Sequence, residues 1–555
     1  MPTEVITGNL ATTYFADSND TIVLTAGASL ITSGQFGITT RTVNENHIAL
    51  VINGTVGTTS PFVPPFATDV AIFLNSNPVG GVRPVTDNYI RVGETGHVFS
   101  NGGIGIFGVG AGTKVLNYGL VEGAGAIEVT GPNNLVQNFG TINFGVTGIG
   151  AGSNGSDYTT IQNFGTLRFD ADYAPAGRNS IAMLSQGSHV RIFNGGLIDT
   201  NGGILNGGIL AMGDFASIKN AGTIHSSIAA ITASGSNATV INTGTITVSS
   251  TFSEAVYMTG GVNCVFINSG TITSAGAGIS GALSRIVNSG DIIADGTGII
   301  QSATIDFTLS NTGRIIAGNY GITTYNEDHF TRIINSGTII GSLNSTLPGA
   351  AIQANGGEVR IMNSGTLFGD VDVSGNTFAL FNSGRINGDV KFSGAISTYT
   401  ATATGVVTGD IIAMGGPSRL QGGDSIDRLF GGESNDQIFG GGGNDLLNGG
   451  FARDVLTGGT GADVFVFSTA EDITTAFYGS DRIVDFQAGI DHIDLSAFMA
   501  GGRFIGTAFF TGRADEVRYN AATGQLVGDV NGDRVFDWSM ALTNKAALTA
   551  ADFIF

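Results

Sequence analysis

The sequence is poor in the residues that most often carry chemistry. One cysteine, Cys264, stands among 555 residues, so no intrachain disulfide can form and dithiol redox chemistry is excluded. Its neighbours Val265, Phe266 and Ile267 predict a buried structural thiol. There are 6 histidines and no His-Glu-x-x-His pair, which excludes that form of zinc hydrolysis. Charge is scarce and one-sided: 23 Lys and Arg stand against 44 Asp and Glu, a net −21. A phosphate backbone requires a basic surface, so nucleic acid is excluded as a partner. No run approaches the ~20 apolar residues of a membrane span. The first residues, MPTEVITGNLATTYFADSND, also lack the basic segment and apolar core of a cleavable signal peptide. An extracellular location therefore calls for another export route.

What is abundant is glycine, with 88 residues against only 10 prolines, in a chain that is 42% hydrophobic and rich in β-branched residues. That combination argues for many tight turns between short strands, and against disorder. Gly103-Ile-Gly105-Ile-Phe-Gly108 matches a dinucleotide fingerprint, but such strings arise by chance at this glycine content and no helix follows.

From about residue 20 to 415 the chain repeats a phrase, apolar-x-Asn-x-Gly-x-apolar. It occurs around Asn117, Asn138, Asn163, Asn194, Asn220, Asn242, Asn268, Asn288, Asn311, Asn335, Asn363 and Asn382, with a shortened copy, VINGTV, at Asn53. From Asn117 to Asn382 the interval averages about 24 residues, the length of three short strands and three turns. Helical repeats need apolar residues at 3.6-residue spacing, and none is present. The expected fold is all-β, a right-handed parallel β-helix whose rungs stack at the ~4.8 Å strand spacing into a rod on the order of 75 Å long. Asn is expected to take left-handed backbone at a bend and to hydrogen-bond from rung to rung. The following Gly is expected to allow positive φ or close packing. A second phrase, Gly-Asp-Val or Gly-Asp-Ile at Gly369, Gly388 and Gly409, shortens the spacing to 19 and then 21 residues.

Residues 422–466 form five nonapeptides: GGDSIDRLF, GGESNDQIF, GGGGNDLLN, GGFARDVLT and GGTGADVFV. Each begins Gly-Gly and carries Asp at position six (Asp427, Asp436, Asp445, Asp454, Asp463) and an apolar residue at position eight (Leu429, Ile438, Leu447, Leu456, Phe465). The acid is concentrated here: residues 422–555 hold 19 Asp and Glu against 8 Lys and Arg, so −11 of the −21 lies in this stretch and −10 in the 421 residues before it. Crowded carboxylates repel one another unless a cation joins them.

The nonapeptide resembles the RTX repeat, which implies Ca²⁺ as cofactor and a parallel β-roll whose 18-residue coil continues the shortening of the rungs. In that family the first six residues form a turn, the last three a strand, and ions sit between turns two repeats apart. The resemblance implies three ligand sets. Repeats one and three supply Gly423, Ser425, Asp427, Gly440, Gly442 and Asp445. Repeats two and four supply Gly432, Ser434, Asp436, Gly449, Phe451 and Asp454. Repeats three and five supply Gly441, Gly443, Asp445, Gly458, Thr460 and Asp463. Ser425, Ser434 and Ala452 replace the usual fourth-position Gly, and Arg453 the usual Asn, so repeats two and four depart most.

Beyond Val466, the runs Asp481-Arg-Ile-Val-Asp485-Phe, Gly489-Ile-Asp491 and Ile493-Asp494-Leu495-Ser496 are similar to the C-terminal module of serralysin-type metalloproteases. So is the ending, with Asp552 before an apolar triplet. The resemblance spans 422–555 and implies export by a type I secretion system that reads an uncleaved C-terminal signal. Asp529, Asn531, Asp533 and Asp537 imitate an EF-hand loop, but Arg534 and Met540 stand where Gly and Glu are needed, so a hairpin turn at Asn531-Gly532 is expected.

The expected organisation is an N-terminal cap (1–20), a β-helix (21–415), the roll (416–467) and a C-terminal cap with secretion signal (468–555). The Asn-x-Gly-Thr-Ile phrase resembles repeats of bacterial adhesin-like passenger domains. The leading expectation is a non-enzymatic, extracellular or cell-surface protein (surface layer, sheath, matrix or adhesin) that self-associates and can contact surface polysaccharide. The alternative is a β-helical polysaccharide-modifying enzyme or carbohydrate-binding module, similar to alginate epimerases or lyases. Tyr325, Glu327, Asp328 and His329 in TTYNEDHFTR come nearest the epimerase motif, yet Phe330 stands where His is required. That segment reads as a solvated loop between rungs.

Overall fold

A computed structural model of the chain describes residues 3–41, 47–59, 69–75, 87–152, 157–175, 178–202, 206–341, 349–473 and 480–555. Among these residues, regular structure is all strand apart from three short 3-10 turns, Ala171–Tyr173, Ala470–Ile473 and Ala550–Asp552. The chain forms two compact units, Met1–Ile300 and Gln301–Phe555.

In the first unit each coil carries three strands, and each strand pairs in parallel with its equivalent one coil on. The Asn phrase supplies one column: Lys114–Asn117, Leu135–Asn138, Thr160–Asn163 and Arg191–Asn194 lie in register, as do their successors to Arg285–Asn288. In Thr160–Asn163 the burial alternates, so Ile161 and Asn163 point inward while Thr160 and Gln162 face out. A buried amide needs partners, and each Asn provides them for the next. Asn117 Nδ2 donates to Asn138 Oδ1 at 2.7 Å, Asn163 to Asn194 at 2.8 Å and Asn220 to Asn242 at 2.8 Å. The same amide group also donates to the carbonyl of the Gly two residues on, as from Asn163 to Gly165 at 3.2 Å. Each bond contributes about 1 kcal/mol net, but one orphaned partner costs about 1–3 kcal/mol.

The ladder corrects two expectations, the left-handed Asn and the place of Asn53, and for the Gly it selects close packing over positive φ. Its Asn residues end extended strands; the left-handed non-glycine positions are in other turns, among them Asn133, Tyr158, His189, Phe215, Asn237 and Asn263. The Gly of the phrase is required by close approach, since a Cβ on Gly165 would lie 2.1 Å from Gly140 O, and Gly165 has no positive φ. Asn53 is outside the ladder. Asn117 aligns with Val92, and Val92 with Ile52, so Asn53 falls one residue past the position. At the N-terminus, Thr3–Ile6, Asn9–Leu10 and Tyr14–Ala16 pair with Thr21–Leu24, Ser29–Thr32 and Phe36–Thr40, so they are themselves a rung. Met1 and Pro2 lie outside the described residues. Cys264 is fully buried, its thiol 3.5 Å from Gly235 O, and burial raises its pKa.

The second unit begins with the same ladder, Asn311 to Asn335 to Asn363 to Asn382. Its rungs then shorten as expected. Val371 aligns with Val390, Val390 with Ile411, Ile411 with Leu429, and Leu429 with Leu447, steps of 19, 21, 18 and 18 residues. The third column stops at Val406–Val407 among the described residues, leaving two sheets. One contains Arg428–Phe430, Leu446–Asn448, Val464–Val466, His492–Asp494 and Phe553–Ile554. The other contains Ser418–Gln421, Gln437–Gly442, Val455–Thr460, Arg482–Ile483 and Trp538–Leu542. Leu429, Ile438, Leu447, Leu456 and Phe465 fill the space between them and are fully buried. An antiparallel meander, Glu516–Asn520, Gln525–Asp529 and Trp538–Leu542, closes the roll. Its last hairpin is longer than expected: residues 530–537 form the loop that contains Asn531 and Gly532.

TTYNEDHFTR is not a loop. It lies inside the strand Ile322–Asn335, whose register against Ile352–Asn363 shifts between Asn326 and Phe330, where Asp328 takes φ 67°.

Candidate metal centre

The five nonapeptide aspartates end their turns just before a strand, and all are at most 1% exposed. Because strands pair two repeats apart, the aspartates fall into two stacks, and main-chain N–H groups tie each stack together. Asp427 N donates to Asp445 Oδ1 (2.8 Å), Asp445 N to Asp463 Oδ1 (2.9 Å) and Asp463 N to Asp491 Oδ1 (3.0 Å). In the other stack Ser418 N donates to Asp436 Oδ1 (2.6 Å), Asp436 N to Asp454 Oδ1 (2.7 Å) and Asp454 N to Asp481 Oδ1 (2.8 Å). Asp481 and Asp491 therefore belong to the stacks, although the spacing hides them. They stand 27 and 28 residues after Asp454 and Asp463 instead of 18. The signal that could have found them is the local phrase: Asp481-Arg482-Ile483 and Asp491-His492-Ile493 repeat the Asp-x-apolar ending of each nonapeptide. Asp485 joins them, its two oxygens accepting from Gly458 N and Gly459 N at 2.9 Å each.

The second oxygen of most of these carboxylates is buried with no hydrogen-bond partner. This holds for Oδ2 of Asp436, Asp445, Asp454, Asp463 and Asp481, and for Oδ1 of Asp427. None takes part in a described ion pair. Burial without a counter-charge disfavours the ionised form. It pushes Asp427 up to about 6, Asp445 and Asp454 to about 7, and Asp436 and Asp481 to about 8, and it raises Asp463 and Asp491.

The backbone predicted to join them is close by. Gly442 N donates to Gly423 O, Phe451 N to Gly432 O, and Gly443 N to Thr460 O, so each set of turns two repeats apart is in contact. Gly440, Gly441, Gly442, Gly458 and Thr460 lie in strands, not turns, because Gly441 pairs with Gly459 and Gly442 with Thr460. Gly443 takes φ 115° in the next turn; Phe451 is half exposed. Ser425 and Ser434 point their hydroxyls at Gly405 O and Gly415 O. Gly449 is buried at the start of repeat four, and its carbonyl faces repeat two: a Cβ on Gly431 would lie 2.4 Å from Gly449 O and 2.6 Å from Asp436 Oδ2. Likewise a Cβ on Gly440 would lie 2.4 Å from Asp445 Oδ2 and 2.5 Å from Gly458 O. An unpartnered carboxylate oxygen and a carbonyl oxygen thus converge on space that only glycine leaves open. No three His, Cys, Asp or Glu side chains converge among the described residues, so a cation here must draw on carbonyls. An all-oxygen donor set fits a hard cation of the calcium type.

The other acidic constellations are internally satisfied. Asp529 accepts from Gly532 N and Arg534 N, and Asp537 from Val530 N and the Asn531 amide. Tyr325 is half exposed, and His329 lies 3.7 Å from Asp306. No hydrogen bond joins Tyr325, Asp328 and His329 among the described residues, and the side chain of Glu327 is outside them.

Two sheets of short parallel strands, with an acidic turn between each pair, define an RTX-type β-roll domain. Residues 387–555, which are 169 of the 555, match the family described as Peptidase M10 serralysin C terminal. The match begins 35 residues before Gly422 and takes in the last β-helix rungs. Domains of this type bind calcium and serve type I secretion. Among solved structures, a subunit of the mannuronan C5-epimerase of Azotobacter vinelandii is 30% identical, with a TM-score of 0.20, over 27% of this chain and 81% of that one. No curated protein matches the chain. No helix among the described residues is long and apolar enough to cross a membrane.

Proposed function

We propose that this chain is a secreted, calcium-dependent structural protein of a bacterial surface layer, sheath or matrix, without enzymatic activity, that self-associates once folded. The observation that carries this is the pair of aspartate stacks, six buried oxygens without partners beside converging carbonyls. Calcium bound there would neutralise the carboxylates and supply the charge that lets the turns stack. The proposed ligands are the five nonapeptide aspartates with main-chain carbonyls of the turns and adjoining strand ends between Gly423 and Thr460, joined by Asp481 and Asp491. Where calcium is scarce the acidic turns repel one another and the roll stays unfolded, which suits passage through a secretion channel. Outside the cell, binding to a site absent from the unfolded chain becomes folding free energy. In this reading residues 1–20, whose described strands form the first rung, cap the β-helix of 21–415, which 416–467 and 468–555 close and export. The even repetition of the Asn phrase, with little surface charge, suits contact between copies.

Electron microscopy and limited proteolysis with and without chelator test both parts. Ordered assemblies are expected in calcium. In chelator, assembly should be lost and cleavage should appear within 416–555. A roll that resists protease equally in chelator rejects the calcium reading, and a monodisperse monomer in calcium rejects self-association.

A further inference from the structure

The second unit sets three arginines in one row on an outer sheet face, and among the described residues just one of them, Arg360, has an acidic partner. Arg332 aligns with Arg360 on the neighbouring strand, Arg360 with Ala379, Ala379 with Thr398, and Thr398 with Arg419. All three arginines are exposed. Like charges directly opposite on paired strands are destabilising, so Arg332 beside Arg360 is a cost in a chain with nearly twice as many acids as bases. One acid answers it: Glu358, on Arg360 Nε at 2.5 Å. Among the described residues, the hydrogen-bond partner of Arg332 Nη2 is the neutral Met362 Sδ at 3.8 Å. Arg419 binds the side-chain oxygens of Gln437 (3.2 Å) and Gln421 (3.4 Å) and lies 4.2 Å over the Phe439 ring, all neutral partners. Beside the Arg332–Arg360 pair runs a groove of about 270 Å³, lined by Phe330, Met362 and Phe381, the last two more than 40% exposed.

We propose that this face binds a carboxylated polysaccharide, a polyuronate chain lying across the strands. A guanidinium fork matches a carboxylate with two parallel hydrogen bonds and keeps its charge at any physiological pH. Met362 and Phe381 offer apolar surface to the C–H faces of the sugar rings, while the Phe330 ring holds the Arg360 guanidinium 5.7 Å from its centroid. The arginines occupy the first, second and fifth strands of the row, so at about 4.8 Å per strand the ligand must extend roughly 19 Å. A small anion cannot reach, and the strand spacing is close to the length of one pyranose unit. This inference stands apart from self-association, which it neither needs nor supports.

The test is fluorescence anisotropy of a tagged polyuronate octasaccharide with the calcium-loaded full chain. Binding is expected, weakened by salt. Arg332→Gln/Arg360→Gln/Arg419→Gln should lower affinity at least tenfold while the chain stays folded by circular dichroism at the assay temperature, and Phe381→Ala should weaken it severalfold. Lys114→Gln, in the first unit, should leave it unchanged, and a neutral glucan of equal length should not bind. No binding by the native chain, undiminished binding by the triple variant, or equally tight binding of a polyglutamate peptide through the same arginines would each overturn the proposal, the last in favour of an acidic protein partner.

Discussion

Ala452 takes φ 85°, a conformation that Gly443 (115°) and Gly461 (134°) adopt at the same place in their repeats without a Cβ. Left-handed backbone costs a residue with a side chain roughly 1 kcal/mol or more. The turn tolerates it because the strands on either side fix its path. Ser425 and Ser434, at the same repeat position, have no positive φ and instead anchor their hydroxyls to carbonyls one coil back. The fourth-position substitutions are therefore of two kinds. We expect Ala452→Gly to stabilise the calcium-loaded protein by about 1 kcal/mol, whereas Ser425→Gly, which gains no relief and adds chain entropy, should be neutral or destabilising. Urea unfolding at saturating calcium measures both; equal effects would show that the alanine carries no strain.

Stacked aspartates occur twice in the second unit, with two different solutions. Upstream, Asp389 N donates to Asp370 Oδ1 and Asp410 N to Asp389 Oδ1, and here the protein supplies its own cations. Lys391 Nζ bridges Asp370 and Asp389 at 3.0 and 2.8 Å, and Arg428 pairs with Asp410. Hydrogen bonding and attraction from Lys391 hold Asp389 below the usual carboxylate range, the opposite direction to Asp436. Lys391→Met should cost about 1 kcal/mol, the upper range for partly exposed pairs, and by the same amount with calcium or chelator. A loss confined to chelator would show that these aspartates also take up metal. Such contrasts mark the limit of legibility. The Asn phrase, its period and the shortening of the rungs were readable because each rung repeats the same buried amide and inward isoleucine. Asp481 and Asp491 were not, because the residues after Val466 lengthen the coil while leaving the Asp-x-apolar ending intact. TTYNEDHFTR carries the charges of a solvated loop, whereas pairing with Ile352–Asn363 makes it strand.

Across the whole molecule, the raised aspartates couple folding to protons as well as to calcium. Without calcium, Asp427, Asp436, Asp445, Asp454 and Asp481 titrate near 6 to 8 in the folded roll and near 3.8 in the open chain. The folded state then holds protons that the unfolded state releases, so stability falls as pH rises. The contribution is fully present below about pH 4 and is lost progressively as pH climbs through the folded values to about 8. Calcium replaces those protons, because the ligands must be deprotonated to bind it. In chelator, circular dichroism from residues 416–555, isolated by difference after proteolysis, should persist at pH 5 and disappear between pH 6 and 8. At pH 7.5 calcium should restore it. At pH 6.5, where the metal-free roll remains partly folded and protonated, added calcium should release protons into a weakly buffered solution. A chelator-treated roll equally unfolded at pH 5 and pH 8 would mean that the carboxylates never reach the buried, uncompensated arrangement seen here. In that case calcium would have to assemble the stacks, not merely neutralise them.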